Sequence, residues 1–273
     1  MYLESVRNPK VQLWSSLKTK KGRREHGLFL IEGKRLVAEA LQAPLRLQAL
    51  LWDVGTDELP ADWLSLAEAR GIPVFHLSPQ AFAAVADTVT PQGVMAVAEI
   101  PQLASTPQAG ALFLLLDGLQ DPGNVGTLLR TAQAFGAAEV CCGTGTVDPF
   151  APKVVRASMG GLFRVSVCAA ESSAYIRQWR ARFPDGQVVV ASPQAETPCH
   201  AINLLGPSLI LIGSEADGVS KDAAAFATVS VRIPMPGRAE SLNAAVAGAV
   251  LLYEAARQRE GAGPGGEDHG AQW

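Results

Sequence analysis

Asp117-Gly-Leu-Gln-Asp-Pro-Gly-Asn-Val-Gly-Thr-Leu-Leu-Arg130 follows directly on the apolar run Ala111–Leu116. It reads as a strand ending in a Gly/Pro turn, then a helix predicted over 125–135. Asn124 stands immediately before the apolar-periodic residues and is a good N-cap by type. Gly123 and Gly126 let backbone come close to a ligand. Gly126 also leaves helix surface bare one turn before Arg130, and helical side chains lean toward the N-terminus. Arg130 is therefore expected to reach back over that patch toward the positive end of the helix, where anions are favoured. Two later segments repeat the pattern of strand end plus polar loop: Gly213-Ser-Glu-Ala-Asp-Gly218 and Ile233-Pro-Met-Pro-Gly-Arg-Ala-Glu-Ser-Leu-Asn243. Three such loops in one domain imply one composite pocket.

Working outward, the chain from Ala111 alternates strands with helices. Strands are predicted at 112–116, 139–142, 164–167, 187–191, 209–212 and 230–233. Helices are predicted at 125–135, 151–159, 173–182, 221–226 and 242–257. That alternation argues for an α/β fold with a mainly parallel sheet covered by helices on both faces. Ligands bind such sheets in loops beyond the carboxyl ends of the strands, where all three segments fall. Residues 27–100 form a second, smaller α/β region with strands at 29–31, 45–52, 74–76 and 93–98 and helices at 33–42, 61–70 and 78–85. Pro101–Gly110 has linker composition. The predicted organisation is thus a domain at 1–100, a linker at 101–110, a larger α/β domain at 111–259 and a disordered tail at 260–273. The tail's Gly261-Ala-Gly-Pro-Gly-Gly266 matches G-x-G-x-x-G only formally, since it follows a helix instead of a strand.

The 273 residues are 48% hydrophobic and 18% charged, the balance of a core-forming globular protein. No apolar run is long enough to span a bilayer and the start lacks a signal-peptide core, so a cytoplasmic protein without a membrane partner is expected. Cys141, Cys142, Cys168 and Cys199 lack C-x-x-C spacing and read as reduced core thiols. His26, His76, His200 and His269 are scattered without ligand spacing, so no metal is expected. Net charge is −3, unevenly distributed. Residues 1–35 hold nine Lys/Arg against three Glu, a balance of +6 that leaves −9 on the remainder. A basic N-terminal arm on an acidic body fits an RNA or phosphate contact, with Lys20, Lys21, Arg23 and Arg24 as the candidates, against the alternative of a solvated terminus.

Of the later segments, Glu215 follows an apolar strand. It reads as the holder of a hydrogen-bond network or a cation, or as an exposed loop residue. In the third segment Pro234 and Pro236 stiffen an extended loop that Gly237 bends, and exposed backbone groups there suit an adenine edge. Ser241 reads as a helix cap or a functional hydroxyl, and Asn243 as a polar residue in the first helical turn.

Together and in this order, the three segments resemble the signature motifs of the SpoU (TrmH-like) RNA ribose 2'-O-methyltransferases of the SPOUT superfamily. The matching polar residues are Asn124, Arg130, Glu215, Ser241 and Asn243. Ala216 departs from the pattern, because most relatives carry Gly there. The resemblance implies S-adenosylmethionine as cofactor, bound around Gly213, Ile233, Pro234, Met235 and Leu242, with Arg130 as principal catalytic residue beside the target ribose. It also implies a deep trefoil knot and a homodimer. Pro152-Lys-Val-Val-Arg-Ala-Ser-Met-Gly160 resembles the family's helix between the first two motifs, where Lys153 and Arg156 contact RNA or form a salt-bridged surface. Ser5-Val-Arg-Asn-Pro-Lys, Phe29-Leu-Ile-Glu-Gly33 and Thr90-Pro-Gln-Gly93 resemble the ribosomal-protein-like substrate domain of rRNA-modifying members. The implied activity is 2'-O-methylation of 23S rRNA, the alternatives being a tRNA 2'-O-methyltransferase or a non-catalytic RNA-binding or ribosome-assembly protein.

Overall fold

A computed structural model describes residues 1–56, 58–101, 111–237 and 241–260. The predicted linker, but for Pro101, lies outside the described residues. So do residues 261–273 of the predicted tail, with the G-x-G-x-x-G match and His269. In chain order the elements are β1 (Tyr2–Leu3), α1 (Pro9–Ser16), α2 (Lys20–His26), β2 (Leu28–Glu32), α3 (Lys34–Gln42), β3 (Leu47–Asp53), α4 (Ala61–Ala69), β4 (Val74–Leu77), α5 (Pro79–Val85) and β5 (Val94–Glu99). There follow β6 (Leu112–Asp117), α6 (Pro122–Ala134), β7 (Glu139–Cys142), α7 (Pro152–Ala157), β8 (Ser166–Ala169), α8 (Ser172–Arg182), β9 (Gln187–Ala191), β10 (Thr197–Pro198), β11 (Ser208–Gly213), α9 (Lys221–Ala224), β12 (Val229–Arg232) and α10 (Ala244–Glu260).

The chain divides into two compact units that interleave in sequence. One draws on Met1–Ala104, Asp121–Arg130 and Val147–Val167, the other on Ser105–Gln120, Thr131–Thr146 and Cys168–Trp273.

The first unit holds a five-stranded sheet of order β1-β4-β3-β5-β2. β4 pairs in parallel with β1 and β3, while β5 runs antiparallel to β3 and β2. The basic arm is a correction: residues 9–26 are two helices packed into this unit. Asn8 caps α1 through Oδ1 at 2.9 Å from the Lys10 amide, with Pro9 at the first helical position. Thr19 caps α2, and Gly27, at φ 64°, ends it. Val11, Trp14 and Leu17 fall three residues apart and are buried in the core with Phe75, Leu77 and Phe82. Burial of each is worth about 1.5–3 kcal/mol, ample reason for the segment to fold.

The second unit is built on a seven-stranded sheet of order β10-β12-β9-β11-β6-β7-β8. The pairings β10–β12, β12–β9, β9–β11, β11–β6 and β6–β7 are all parallel. Leu112 through Leu116 are buried without a break, as a strand covered on both faces requires. On one face Phe113, Leu115, Leu209 and Leu211 pack with Ile176 and Trp179 of α8. α10 also packs against β11. The sheet order places a topological switch point between β6 and β11. From β6 the chain passes through α6 to β7 on one side, and from β11 through α9 to β12 on the other. In open α/β sheets, ligands bind beyond the carboxyl ends of the strands at such a switch point.

Most helix boundaries shift by one to three residues from those predicted, and three of the shifts have a visible cause. α6 starts at Pro122 because Asp121, not Asn124, caps it: Asp121 Oδ1 accepts from the Asn124 amide at 2.8 Å. α7 stops at Ala157, ahead of the left-handed pair Met159 (φ 49°) and Gly160 (φ 89°). α10 starts at Ala244, with Asn243 outside the first turn as its cap.

Candidate active site at the carboxyl ends of the sheet

Asp117 and Gly213 are register partners at the switch point, the last residues of β6 and β11. Beyond Gly213 the chain folds into a tight hairpin closed by reciprocal backbone bonds, Ser214 N to Gly218 O at 3.1 Å and Gly218 N to Ser214 O at 3.0 Å. Gly218 turns it with φ 68°. A Cβ on Gly213 would lie 2.0 Å from the Gly218 carbonyl carbon, so only glycine lets the hairpin close. Glu215 is exposed at its tip. Ala216 does not adopt positive φ, so its departure from the family pattern introduces no backbone strain.

Two strands away, β12 runs into the irregular Ile233–Gly237 segment; residues 238–240 lie outside the described residues. Ile233, Met235 and Leu242 are half-buried, Pro234 and Ser241 exposed. Asn243 Oδ1 accepts from the amides of Ala245 at 2.9 Å and Val246 at 3.3 Å, and its carbonyl from Ala247 at 2.9 Å. Ser241, which sequence offered as a cap, is therefore released from that duty.

Asn124 and Arg130 belong to the first unit, the other polar signature residues to the second. Arg130 is exposed on α6 and forms no side-chain hydrogen bond or ion pair among the described residues. The predicted reason for Gly126 is corrected. It is buried against α7, where a Cβ would meet Ala157 Cβ at 2.4 Å and Ser158 N at 2.8 Å. Gly161 acts in the same way on the opposite side of this packing, since a Cβ there would lie 2.6 Å from Arg130 Cα. Both glycines thus seat the Arg130 helix on its neighbour and clear no patch for a ligand.

Among the expected RNA contacts, Lys20, Lys21, Arg24 and Lys153 are exposed. Arg23 is a correction. It is 3% exposed, with its guanidinium donating to Asp148 Oδ2 at 2.6 and 2.9 Å and to the carbonyls of Leu17 and Lys18. Arg156 takes the salt-bridged alternative, pairing with Asp87 at 2.8 Å and Glu32 at 3.9 Å.

All four cysteines are free thiols, three buried and Cys168 half-buried. The Cys141 thiol is pushed far up by its hydrogen bond with Cys168 and by burial, so it stays protonated. The Tyr175 phenol is likewise raised by burial and donates to Glu139 at 2.6 Å. Both are core groups. Among the described residues no His/Cys/Asp/Glu group is assembled to hold a metal, and no helix is long and apolar enough to cross a membrane.

Residues 111–253 match the model of the SpoU rRNA Methylase family, and residues 8–96 that of the MRM3-like substrate binding domain. The chain belongs to the SpoU rRNA methylase family. It is 36% identical to the 23S rRNA (guanosine(2553)-2'-O)-methyltransferase RlmP of Bacillus subtilis, over 92% of this chain and 97% of that one. It is 32% identical to the 23S rRNA (uridine(2479)-2'-O)-methyltransferase of Streptomyces viridochromogenes, over 93% and 91%. Among solved structures, the SpoU methyltransferase AviRb from that organism in complex with AdoMet superposes with a TM-score of 0.82 at 31% identity, over 93% of this chain and 98% of that one. The AdoMet-bound rRNA methyltransferase from Sinorhizobium meliloti gives 0.81 at 32%, over 94% and 97%.

The residues present fit that cofactor. Ile233, Met235 and Leu242 are half-buried apolar side chains of the kind that would face an adenine ring, and the hairpin closed at Gly213 stands at the switch point with backbone polar groups that such a ligand would need. Sequence reasoning missed Asp117 and Asp121 as working side chains. Asp121 was legible as an Asp-Pro helix start. Asp117 looked like a turn residue, and nothing local marks the distant groups that bind it.

Proposed function

We propose that this chain transfers a methyl group from S-adenosylmethionine to a ribose 2'-hydroxyl of 23S rRNA. The observation that carries the reading is the near-full-length likeness to 23S rRNA 2'-O-methyltransferases together with the unbroken polar set Asn124, Arg130, Glu215, Ser241 and Asn243. The cofactor supplies a methyl group already activated on sulfonium, so alignment dominates, and positioning alone contributes about 7–11 kcal/mol. Arg130 orients and polarises the hydroxyl. A guanidinium has donors and no acceptor, so it is not the base, but a fixed cation suits the charge that develops there. Ile233, Pro234, Met235, Leu242 and Gly213 hold the cofactor, and exposed Lys20, Lys21, Arg24 and Lys153 track RNA phosphates.

Two similar relatives act on guanosine 2553 and uridine 2479. Their common element is the ribose, which supports a pocket built around sugar and phosphate. We assign residues 1–100 to substrate binding and 111–259 to catalysis, joined by 101–110, in a cytoplasmic homodimer whose catalytic domain carries the family's knot.

The test is to incubate the protein with methyl-labelled S-adenosylmethionine and unmodified total RNA, then identify the labelled nucleoside by mass spectrometry. A 2'-O-methyl nucleoside from large-subunit rRNA is expected. Label confined to tRNA or to a base would overturn the substrate assignment. Cofactor binding with no label on naked rRNA or on assembly intermediates would favour the non-catalytic alternative.

A further inference from the structure

We propose that Asp117 is a positioning residue that fixes the Glu215 hairpin for cofactor binding; the proposal rests on the methyltransferase reading of this site. Asp117 is 3% exposed, a buried carboxylate with no cation at ion-pair distance among the described residues. Its two oxygens take two neutral donors: Oδ1 accepts from Ser172 Oγ at 2.5 Å and Oδ2 from the Ser220 amide at 2.8 Å. Burying a carboxylate is costly, and a core position alone would favour an apolar side chain. What distinguishes Asp117 is where its donors lie.

Ser220 follows the hairpin and begins α9. The hairpin's other stem is Gly213, the ladder partner of Asp117 itself. One residue therefore holds both stems, one by backbone register and the other by its carboxylate. The second oxygen extends the tie. Ser172 Oγ also accepts from the Thr144 amide at 2.9 Å, Thr144 Oγ1 accepts from the Ser172 amide at 3.2 Å, and the Thr144 carbonyl accepts from the Gly118 amide at 2.9 Å. Gly143 permits this approach, since a Cβ there would lie 2.4 Å from Ser172 Oγ. The segments that follow β6, β7, β8 and β11 thus converge on one carboxylate at the switch point. Asparagine reproduces only half of this: its oxygen can accept from the Ser220 amide, but its NH2 then faces Ser172 and leaves the Ser172 hydroxyl proton without its acceptor, and the charge is gone.

The experiment titrates S-adenosylmethionine into Asp117→Asn, Ser220→Pro and Ser220→Ala by calorimetry, with melting curves and methyl transfer to rRNA measured alongside. Ser220 sits at φ −57°, which proline accepts, so Ser220→Pro deletes the amide donor. Ser220→Ala keeps that donor and removes only the cap hydroxyl to Ala223. Asp117→Asn and Ser220→Pro are expected to weaken cofactor binding by about tenfold, the value of one hydrogen bond to a charged group. Ser220→Ala should stay near wild type, and the Asp117→Asn/Ser220→Pro double variant should be no worse than the poorer single. Lowered melting with unchanged affinity and turnover in both donor-loss variants would overturn the proposal. Should Asp117→Asn fail to fold, equal affinities for Ser220→Pro and Ser220→Ala overturn it alone. Failure of the wild-type chain to bind the cofactor would instead sink the reading of the site.

Discussion

A glycine inside a helix announces that a Cβ is missing but not which neighbour needs the space. Gly126 pointed in sequence to a ligand and in structure to Ala157 and Ser158 beside α7. Arg130 was singled out through the patch that Gly126 was expected to leave bare. That premise fails, and what the structure adds is that Arg130 is exposed on α6 with no side-chain partner among the described residues. Opposite outcomes follow for the two. Arg130→Ala should cut turnover by about 10²–10³ while leaving cofactor affinity unchanged, as loss of one preorganised charge-stabilising group does. Calorimetry and single-turnover transfer separate the two quantities, and full activity would exclude the assigned role. Gly126→Ala forces α6 and α7 apart and should cost about 1–3 kcal/mol of stability, the usual toll of overpacking. A denaturant titration with unchanged midpoint would show that the gap closes without strain.

Helices carry the main lesson at the scale of elements. Positive charge over residues 1–35 concealed the apolar stripe Val11, Trp14, Leu17, although the Asn8-Pro9 start and the Gly27 stop were both in plain view. Strands fared better, since β7 and β9 fall at the predicted 139–142 and 187–191 and a wholly buried parallel strand has an unmistakable apolar run. The chemistry of α2 is divided. Arg23→Met should cost about 3–5 kcal/mol, because it leaves Asp148 as a largely buried, uncompensated carboxylate. Joint replacement of Lys20, Lys21 and Arg24 by Ala should move stability by only about 0.5 kcal/mol per site. It should weaken RNA binding and reduce the salt slope by about 0.7 for each phosphate left unneutralised. A triple variant with an unaltered salt slope would take the RNA path off this helix. At α8 the cap is Glu171, whose carboxyl is held below its usual range by the amides of Ser173 and Ala174. A depressed carboxyl stabilises above its unfolded pKa and loses that contribution as pH falls through its folded pKa. The melting difference between wild type and Glu171→Ala should therefore be full at neutral pH and vanish well below about pH 4. A difference that persists in acid would mean the carboxylate charge contributes nothing.

For the molecule as a whole, strand–helix alternation foretold a parallel sheet, and the candidate site is proposed at the carboxyl edge where open sheets of this kind bind ligands. The alternation did not foretell the strand order that puts β6 beside β11, because order depends on pairings between residues roughly a hundred positions apart. The switch point, and with it the work of Asp117, became visible only once Gly213 was paired with Asp117. A similar non-local question is what covers α10. Val246 and Tyr253 stand exposed on this helix at 49% and 54%, seven residues apart and so on one face, with half-buried Val250 between them. Tyr253 stacks edge-on against Phe135 at 5.8 Å, extending the apolar surface beyond the helix. An exposed apolar patch of this kind marks an interface, and a helix face that meets a second copy of itself satisfies two-fold symmetry without a further surface. The proposed homodimer should therefore close through α10. Val246→Asp with Tyr253→Asp places four carboxylates in such an interface, each an unpaired polar group costing about 1–3 kcal/mol or more. The double variant should sediment as a folded monomer at concentrations where the parent chain is dimeric. A parent that sediments as a monomer would refute the dimer itself, and a variant that remains dimeric would move the interface to another face.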